Sequence, residues 1–286
     1  MQNGGMKMFI AEIGINYAFG EDKSKFLQNA KEMIDMAVMA KCDVVKFQKR
    51  TPELCVPEEQ KNKPKSVPWR KEPTTYLQYK KDIEFEKEEY DEIDRYCKER
   101  GIKWTASVWD VNATQFLAQY DVPFVKLPSA LITDLELLLK CKDLFKNIIM
   151  STGMSTEKEI RQAVELLQYS NLTIMHCNSS YPAKDEELNL SYIKKLKKDY
   201  PGIKIGYSGH EQGMSATLIA KTMGAEVFER HITLSRSNWG TDQSASIVYD
   251  QLWRLVRDLK RIDVWIGDGV KKIYDSEVPI RAKLRD

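Results

Sequence analysis

Two lysines stand where lysines are costly. Lys46 lies inside the apolar run Val44-Val45-Lys46-Phe47, and Lys126 inside Phe124-Val125-Lys126-Leu127; a buried ammonium needs an anionic partner. A bound anion would supply it, and so would a buried ion pair with Glu12 or another strand carboxylate. Ser107, Ser129, Ser151 and Ser208 stand at or just past the ends of further apolar runs. With two lysines, these hydroxyls suit a small molecule with several acidic oxygens, such as a phosphorylated carboxylate. Of the three histidines, His210 and His231 close neighbouring apolar runs. Neutral imidazoles so placed can share a divalent ion and leave positions open for water and substrate, with Glu12 or Asp242 as a nearby carboxylate. The plainer reading is that each histidine only hydrogen-bonds; the paired placement favours the metal. His176, which precedes Cys177, is as readily a satisfied structural histidine and stays outside the catalytic set.

These residues need a scaffold, and the periodicity describes one. Short β-branched or apolar runs alternate with amphipathic stretches from end to end. Eight strands are predicted: Met8 to Glu12, Asp43 to Gln48, Lys103 to Ser107, Phe124 to Lys126, Asn147 to Ser151, Leu172 to His176, Lys204 to Ser208 and Val227 to His231. Phe26, Ala30, Met33 and Ala37 recur at helical spacing, as do Tyr90, Ile93 and Cys97. Thr156 and Glu159 have capping-box spacing, and Leu252, Leu255, Val256, Leu259 and Ile262 would form the last helix. Eight strand and helix units predict an α/β chain folded as one (β/α)8 TIM barrel. A doubly wound open sheet is the alternative, but no GxGxxG follows the first strand. In a barrel the polar strand ends converge: Glu12, then Lys46 and Gln48, Ser107, Lys126 with Ser129, Ser151, His176, Ser208 with His210, and Glu229 with His231. Gly153, Gly206, Gly209 and Gly240 would let backbone amides approach an anion there.

One segment breaks the rhythm. Between Arg50 and Phe85 lie Pro52, Pro57, Pro64, Pro68 and Pro73 among many lysines, too irregular for a strand or a continuous helix and of a length usual for lids or binding loops. The rest of the composition excludes rather than assigns. Forty-four Lys and Arg against forty-two Asp and Glu leave a net charge of +2, so no global field recruits nucleic acid or anionic lipid. No apolar run approaches the ~18 residues of a membrane span. Met1 to Met8 has no apolar h-region, which makes the cytoplasm the default compartment. Five scattered cysteines with no CxxC pair argue against a disulfide framework or zinc finger.

The ordered motifs resemble the sialic acid synthases: Ala11-Glu12-Ile13-Gly14-Ile15-Asn16, Val45-Lys46-Phe47-Gln48, Ser151-Thr152-Gly153-Met154, His176-Cys177, Tyr181-Pro182, Gly206-Tyr207-Ser208-Gly209-His210 and Glu229-Arg230-His231. Members condense phosphoenolpyruvate with an open-chain N-acylhexosamine or hexose, giving a nine-carbon 2-keto acid and phosphate. The resemblance implies a barrel, a homodimer, and Mn²⁺ or Mg²⁺ held at His210 and His231. It implies phosphoenolpyruvate at Lys46, Ser107, Lys126, Ser129, Ser151 and Ser208, with Glu12, Gln48, Tyr181 and Asp242 facing the metal water or the sugar. Glu12 is expected to handle a proton or orient the water.

The sequence also departs from that pattern. Ala130-Leu131-Ile132-Thr133 replaces an acidic step after Ser129, Tyr17 stands where histidine is usual, Ser179 where some members have asparagine, and Gln243 where histidine is frequent. Each is expected to retune the acceptor pocket. Full-length members carry a C-terminal antifreeze-like domain. Here residues 1–266 are expected to form the barrel and 267–286 a linker-like tail without that domain, so that sugar contacts come from the loop around Tyr76 and Lys80. The runs Lys46-Phe47-Gln48-Lys49-Arg50 and Thr105-Ala106-Ser107-Val108-Trp109-Asp110 resemble the branch that uses 6-phosphorylated acceptors, with Lys49, Arg50 or Lys80 for the second phosphate. Two competing readings stand beside the synthase: a metal-dependent barrel aldolase or lyase, and a non-catalytic sugar-binding relic.

Overall fold

Period-two alternation decides what each strand does. A computed structural model describes residues 6–168 and 170–285; the signal-peptide reading over Met1 to Met8 and the outer limits 1 and 286 fall partly outside them. The strands are β1 (Met8–Gly14), β2 (Val44–Lys49), β3 (Lys103–Val108), β4 (Val125–Leu127), β5 (Asn147–Ser151), β6 (Asn171–His176), β7 (Lys204–Gly209) and β8 (Val227–His231). All pair in parallel with their sequence neighbours, and β8 pairs back onto β1, so the sheet closes. Closure excludes the open-sheet alternative. Alternate residues face inward: Ile10, Val44, Phe124, Ile149, Met175 and Val227 form an apolar plug inside the barrel. The next inward residue along β1, β2, β4 and β8 is Glu12, Lys46, Lys126 and Glu229. A dry floor thus lies under a charged layer at the C-terminal mouth.

The outward residues, among them Phe9, Val45, Phe47 and Phe228, join the larger core against the helices. These are α1 (Phe26–Met39), α2 (Lys87–Arg100), α3 (Val111–Leu117), α4 (Leu135–Leu144), α5 (Glu157–Leu166), α6 (Tyr192–Asp199), α7 (Ser215–Thr222) and α8 (Tyr249–Ile266). The helical faces read from the sequence are the buried ones, including all five apolar positions of α8. The Thr156 capping box also forms: Glu159 accepts from Thr156 N at 2.6 Å, and Glu159 N donates to Thr156 Oγ1 at 3.3 Å. Beyond α8 the chain is exposed, including a final helix α9 (Val278–Arg285) that buries no residue. Among the described residues, no helix is long and apolar enough to cross a membrane.

The proline-rich insertion has short helices at Pro52–Cys55, Glu58–Lys61 and Tyr76–Asp82, and one antiparallel rung between Pro64–Lys65 and Thr74–Thr75. A neck closes it: Lys49 Nζ donates to the Phe85 carbonyl at 2.6 Å, and Arg50 N to Glu84 Oε1 at 2.9 Å. Its body packs on the β8–α8 loop through Trp69 and Trp239, with ring centroids 5.1 Å apart, and through Tyr79 and Trp239 at 5.6 Å. The insertion therefore covers one side of the barrel mouth.

Candidate active site

Register sets the charged layer. Glu12 is the Cα partner of Lys46 on one side and His231 on the other, and Ser107 is the partner of both Gln48 and Lys126. Lys46 Nζ lies 2.6 Å from Glu12 Oε2 and 3.8 Å from Glu229 Oε2, and donates to Ser107 Oγ at 2.7 Å. Lys126 Nζ lies 3.8 Å from Glu229 Oε1 and donates to Ser151 Oγ. Ser208 Oγ donates to Glu229 Oε1 at 3.0 Å, and Gln48 Nε2 to Glu12 Oε1 at 3.0 Å. The residues expected to meet phosphoenolpyruvate, metal or sugar line one cavity of about 150 Å³, Asp242 excepted; Lys49, Arg50 and Lys80 do not line it. Ser129 meets it through Gly153, whose N–H donates to Ser129 Oγ at 3.0 Å. A side chain at Gly153 would collide: an added Cβ would lie 2.2 Å from Ser179 Oγ and 3.0 Å from Cys177 Sγ.

Two sequence expectations change at this point. The lysines already have carboxylate partners, so the ion-pair reading of Lys46 and Lys126 describes the protein alone. The strand-ending Glu229, given no role from the sequence, is the residue that joins the two lysines. The signal was present: an acid in Val227-Phe228-Glu229 is as costly as a lysine in an apolar strand. The carboxylates differ in state. Burial lifts the Glu12 carboxyl to about 7 despite the pull of Lys46, with the Glu229 charge adding to the rise. Burial also acts to raise Glu229, but Lys126 and Lys46 outweigh it and hold that group at about 2. Burial lowers the Lys126 ammonium below its usual range.

The histidine pair occupies the next sector of the mouth. The rings of His210 and His231 are 5.4 Å apart at 61°. His210 Nδ1 donates to the Asn178 carbonyl, which fixes the tautomer and leaves Nε2 to accept from the Tyr181 hydroxyl at 3.0 Å. His231 Nδ1 is buried without a hydrogen bond, 3.6 Å from Asp242 Oδ2. Burial keeps both imidazoles neutral, pushing His210 down to about 4 with His231 adding to the shift. Neutral paired imidazoles with an orphaned buried nitrogen fit a divalent cation. Among the described residues no group of three or more His, Cys, Asp or Glu side chains is arranged to hold a metal. His176, left outside the catalytic set, donates Nε2 to the Leu188 carbonyl at 2.8 Å and does not line this cavity.

The family model described as the NeuB family matches residues 33–271. The chain belongs to the NeuB family. It is 36% identical over 280 residues to the human N-acetylneuraminate-9-phosphate synthase, covering 96% of this chain and 75% of that protein. It is 31% identical to the N,N'-diacetyllegionaminic acid synthase of Campylobacter jejuni, over 94% of this chain and 80% of the relative. A solved N-acetylneuraminic acid (sialic acid) synthetase from Leptospira borgpetersenii, in complex with citrate, superposes with a TM-score of 0.82 at 30% identity, covering 99% of this chain and 93% of that one.

In this NeuB-family protein the departures from the family pattern separate into two kinds. Ser179 and Ala130 line the cavity. Tyr17 and Gln243 do not: Tyr17 donates to the Ile83 carbonyl at 2.6 Å and stacks on Phe85, while Gln243 Nε2 donates to the Asn16 carbonyl at 3.1 Å from a buried position. Both act as struts behind the site, so the expectation that they retune the acceptor pocket is withdrawn. The three candidate phosphate cations separate as well. Lys49 is committed to the neck, 3.3 Å from Glu84 Oε1. Arg50 donates to Gln48 Oε1 and covers Trp109 at 4.8 Å. Lys80 sits over Tyr76 and Tyr79, and burial, with Arg50 nearby, lowers it to about 8.

Proposed function

We propose that this protein condenses phosphoenolpyruvate with an open-chain N-acylhexosamine or hexose, forming a sialic-acid-like nonulosonate and inorganic phosphate. The observation that carries the reading is one small cavity holding two buried lysines, five serine hydroxyls and two neutral histidines. The synthase names of the relatives support the same class of reaction.

Lys46 and Lys126 neutralise the phosphate and carboxylate, while Ser107, Ser129, Ser151 and Ser208 donate to their remaining oxygens. Carbon three then attacks the aldehyde carbon, and the aldehyde oxygen gains a proton. Water adds at carbon two, and the tetrahedral carbon collapses to a ketone as its bond to the phosphate oxygen breaks. Glu12, pushed up to about 7 by burial, is poised to give its proton to the aldehyde oxygen and recover one from that water, while the remaining hydroxyl proton leaves with the phosphate; Gln48 holds the carboxyl in place. A divalent ion, Mn²⁺ or Mg²⁺, held between His210 and His231 would supply Lewis-acid polarisation of the aldehyde. Tyr181 would release His210 Nε2 for that nitrogen to ligate, and Asp242 lies 3.6 Å from His231 Nδ1 as a nearby carboxylate.

The acceptor's own charge is a second, finer reading. Lys80 and Lys65 rest on the aromatic faces of Tyr76, Tyr79 and Trp239 at 5.1 to 5.5 Å, and neither forms an ion pair among the described residues. That arrangement favours an acceptor with a phosphate at its far end, giving a 9-phosphate product. Phosphate release from phosphoenolpyruvate, followed with Mn²⁺ across N-acetylmannosamine, mannose, 2,4-diacetamido sugars and the 6-phosphates, tests both. Release that depends on an acceptor supports the synthase. Turnover without phosphate release means an aldolase or lyase, and binding without turnover on any sugar means a relic.

A further inference from the structure

The strands that carry the histidines alternate two kinds of polar side chain. Ser208, Glu229 and His231 face the cavity, as does His210 just past β7. On the other side of the sheet, toward α7, lie Tyr207, Arg230 and Glu211. Arg230 is 0% and Glu211 1% exposed, a costly burial unless every charge is paired. They are paired closely. Arg230 Nη1 donates to Glu211 Oε1 at 2.8 Å, to the Gly213 carbonyl at 2.8 Å and to Thr217 Oγ1 at 2.9 Å, while Nη2 donates to the Glu211 carbonyl at 2.6 Å. Tyr207 Oη donates to Glu211 Oε2 at 2.8 Å, and Thr217 Oγ1 to Glu211 Oε1 at 3.2 Å. Gly209 makes the arrangement possible, because a Cβ there would lie 2.6 Å from Glu211 Oε2 and 2.9 Å from the Tyr207 ring.

Replacing a buried ion pair by hydrophobic side chains of similar volume is often neutral for stability, so the burial of this pair is weak evidence of a purely stabilising role. Its placement says more. Glu211 is the residue after His210, and Arg230 is the residue before His231. The guanidinium holds both the carboxylate and the main-chain carbonyl of Glu211, so it grips the backbone that follows one imidazole from the residue that precedes the other.

We infer that the Arg230–Glu211 pair is a positioning strut that sets the spacing and tilt of His210 and His231, and through them the affinity of the site for a divalent cation. This rests on the reading of the two histidines as the metal site. Lysine at position 230 keeps the charge but loses the planar fork that spans carboxylate and carbonyls together. Glutamine at 211 keeps the shape and loses the charge.

Calorimetric titration of the full chain with Mn²⁺, run beside phosphoenolpyruvate titration without metal and a thermal melt, separates a strut from a merely structural pair. Arg230→Lys and Glu211→Gln are expected to weaken Mn²⁺ binding about tenfold or more, while phosphoenolpyruvate affinity stays within about twofold. If either single variant fails to fold, the double variant Glu211→Gln/Arg230→Met leaves no unpaired buried charge and carries the same expectation. Folded variants that bind Mn²⁺ as the wild type does overturn the strut, and so does an equal loss of affinity for both ligands. A wild-type chain that binds no divalent cation overturns the metal reading, and the strut with it.

Discussion

Glu12 and Lys46 are Cα partners on β1 and β2, and their charged ends meet at 2.6 Å with both side chains only 2% exposed. Burial raises the Glu12 carboxyl to about 7 although Lys46 pulls it down, which places it where it can exchange a proton near neutral pH. Glu12→Gln should therefore spare phosphoenolpyruvate binding and lower kcat on the order of 100-fold or more. Parallel titration calorimetry and phosphate-release kinetics check this; normal turnover would remove Glu12 from the mechanism.

Gly153 is predicted to tolerate no side chain. In Gly153→Ala the new methyl group displaces Ser179 and presses on Cys177 and Ser129, at a cost of about 1–3 kcal/mol and a lower Tm. Because the Gly153 N–H to Ser129 contact moves with it, KM for phosphoenolpyruvate should rise more than KM for the acceptor. A variant with wild-type melting and wild-type KM would show that the turn has room to spare.

The insertion should open in acid before the barrel does. Burial alone would raise the Asp82 carboxyl, but hydrogen bonds from Arg70, Gln78 and Trp69 outweigh it and hold it at about 2. A depressed acid stabilises the folded state fully above its unfolded pKa of about 4 and loses that contribution as pH falls toward its folded value. Trp69 donates to this carboxylate at 3.1 Å and touches Trp239, so tryptophan emission should change between about pH 4 and pH 2. Asp82→Asn should flatten the change; an identical acid transition in that variant would place its origin elsewhere.

Removal of divalent metal by chelation and dialysis should abolish turnover while leaving the melting curve almost unchanged, since two histidines alone do not build a closed structural site. Mn²⁺ should restore turnover in the wild type and fail to do so in His231→Ala. Full activity after exhaustive chelation would return the histidines to a hydrogen-bonding role.

Strand positions are legible in the sequence because each is an apolar run between amphipathic stretches, and no observed end differs from its expected place by more than two residues. The inward lysines are legible for the same reason, since a charge interrupting such a run must be compensated. Which group compensates it is a matter of register between strands, and a linear pattern does not state register. Hence the lysines are readable while their joint partner Glu229 goes unassigned. Lys49 shows the opposite failure. It follows Gln48 by one residue, and alternation turns it out of the cavity, where it meets Phe85 and Glu84 across the neck. Tyr17 and Gln243 are misplaced by analogy of position alone, because their burial depends on packing from segments more than sixty residues away.

The neck gives the insertion one more property. Lys49 and Arg50 at its entrance are bonded to Phe85 and Glu84 at its exit, so the two ends of the segment meet at a fixed junction whatever lies between them. Loop closure depends only weakly on length, about 0.6 kcal/mol for each doubling, and the junction holds the end of β2 in place. The segment thus leaves and rejoins the barrel at a single junction, so that a change of length within it is separated by the neck from the Gln48 and Glu12 geometry.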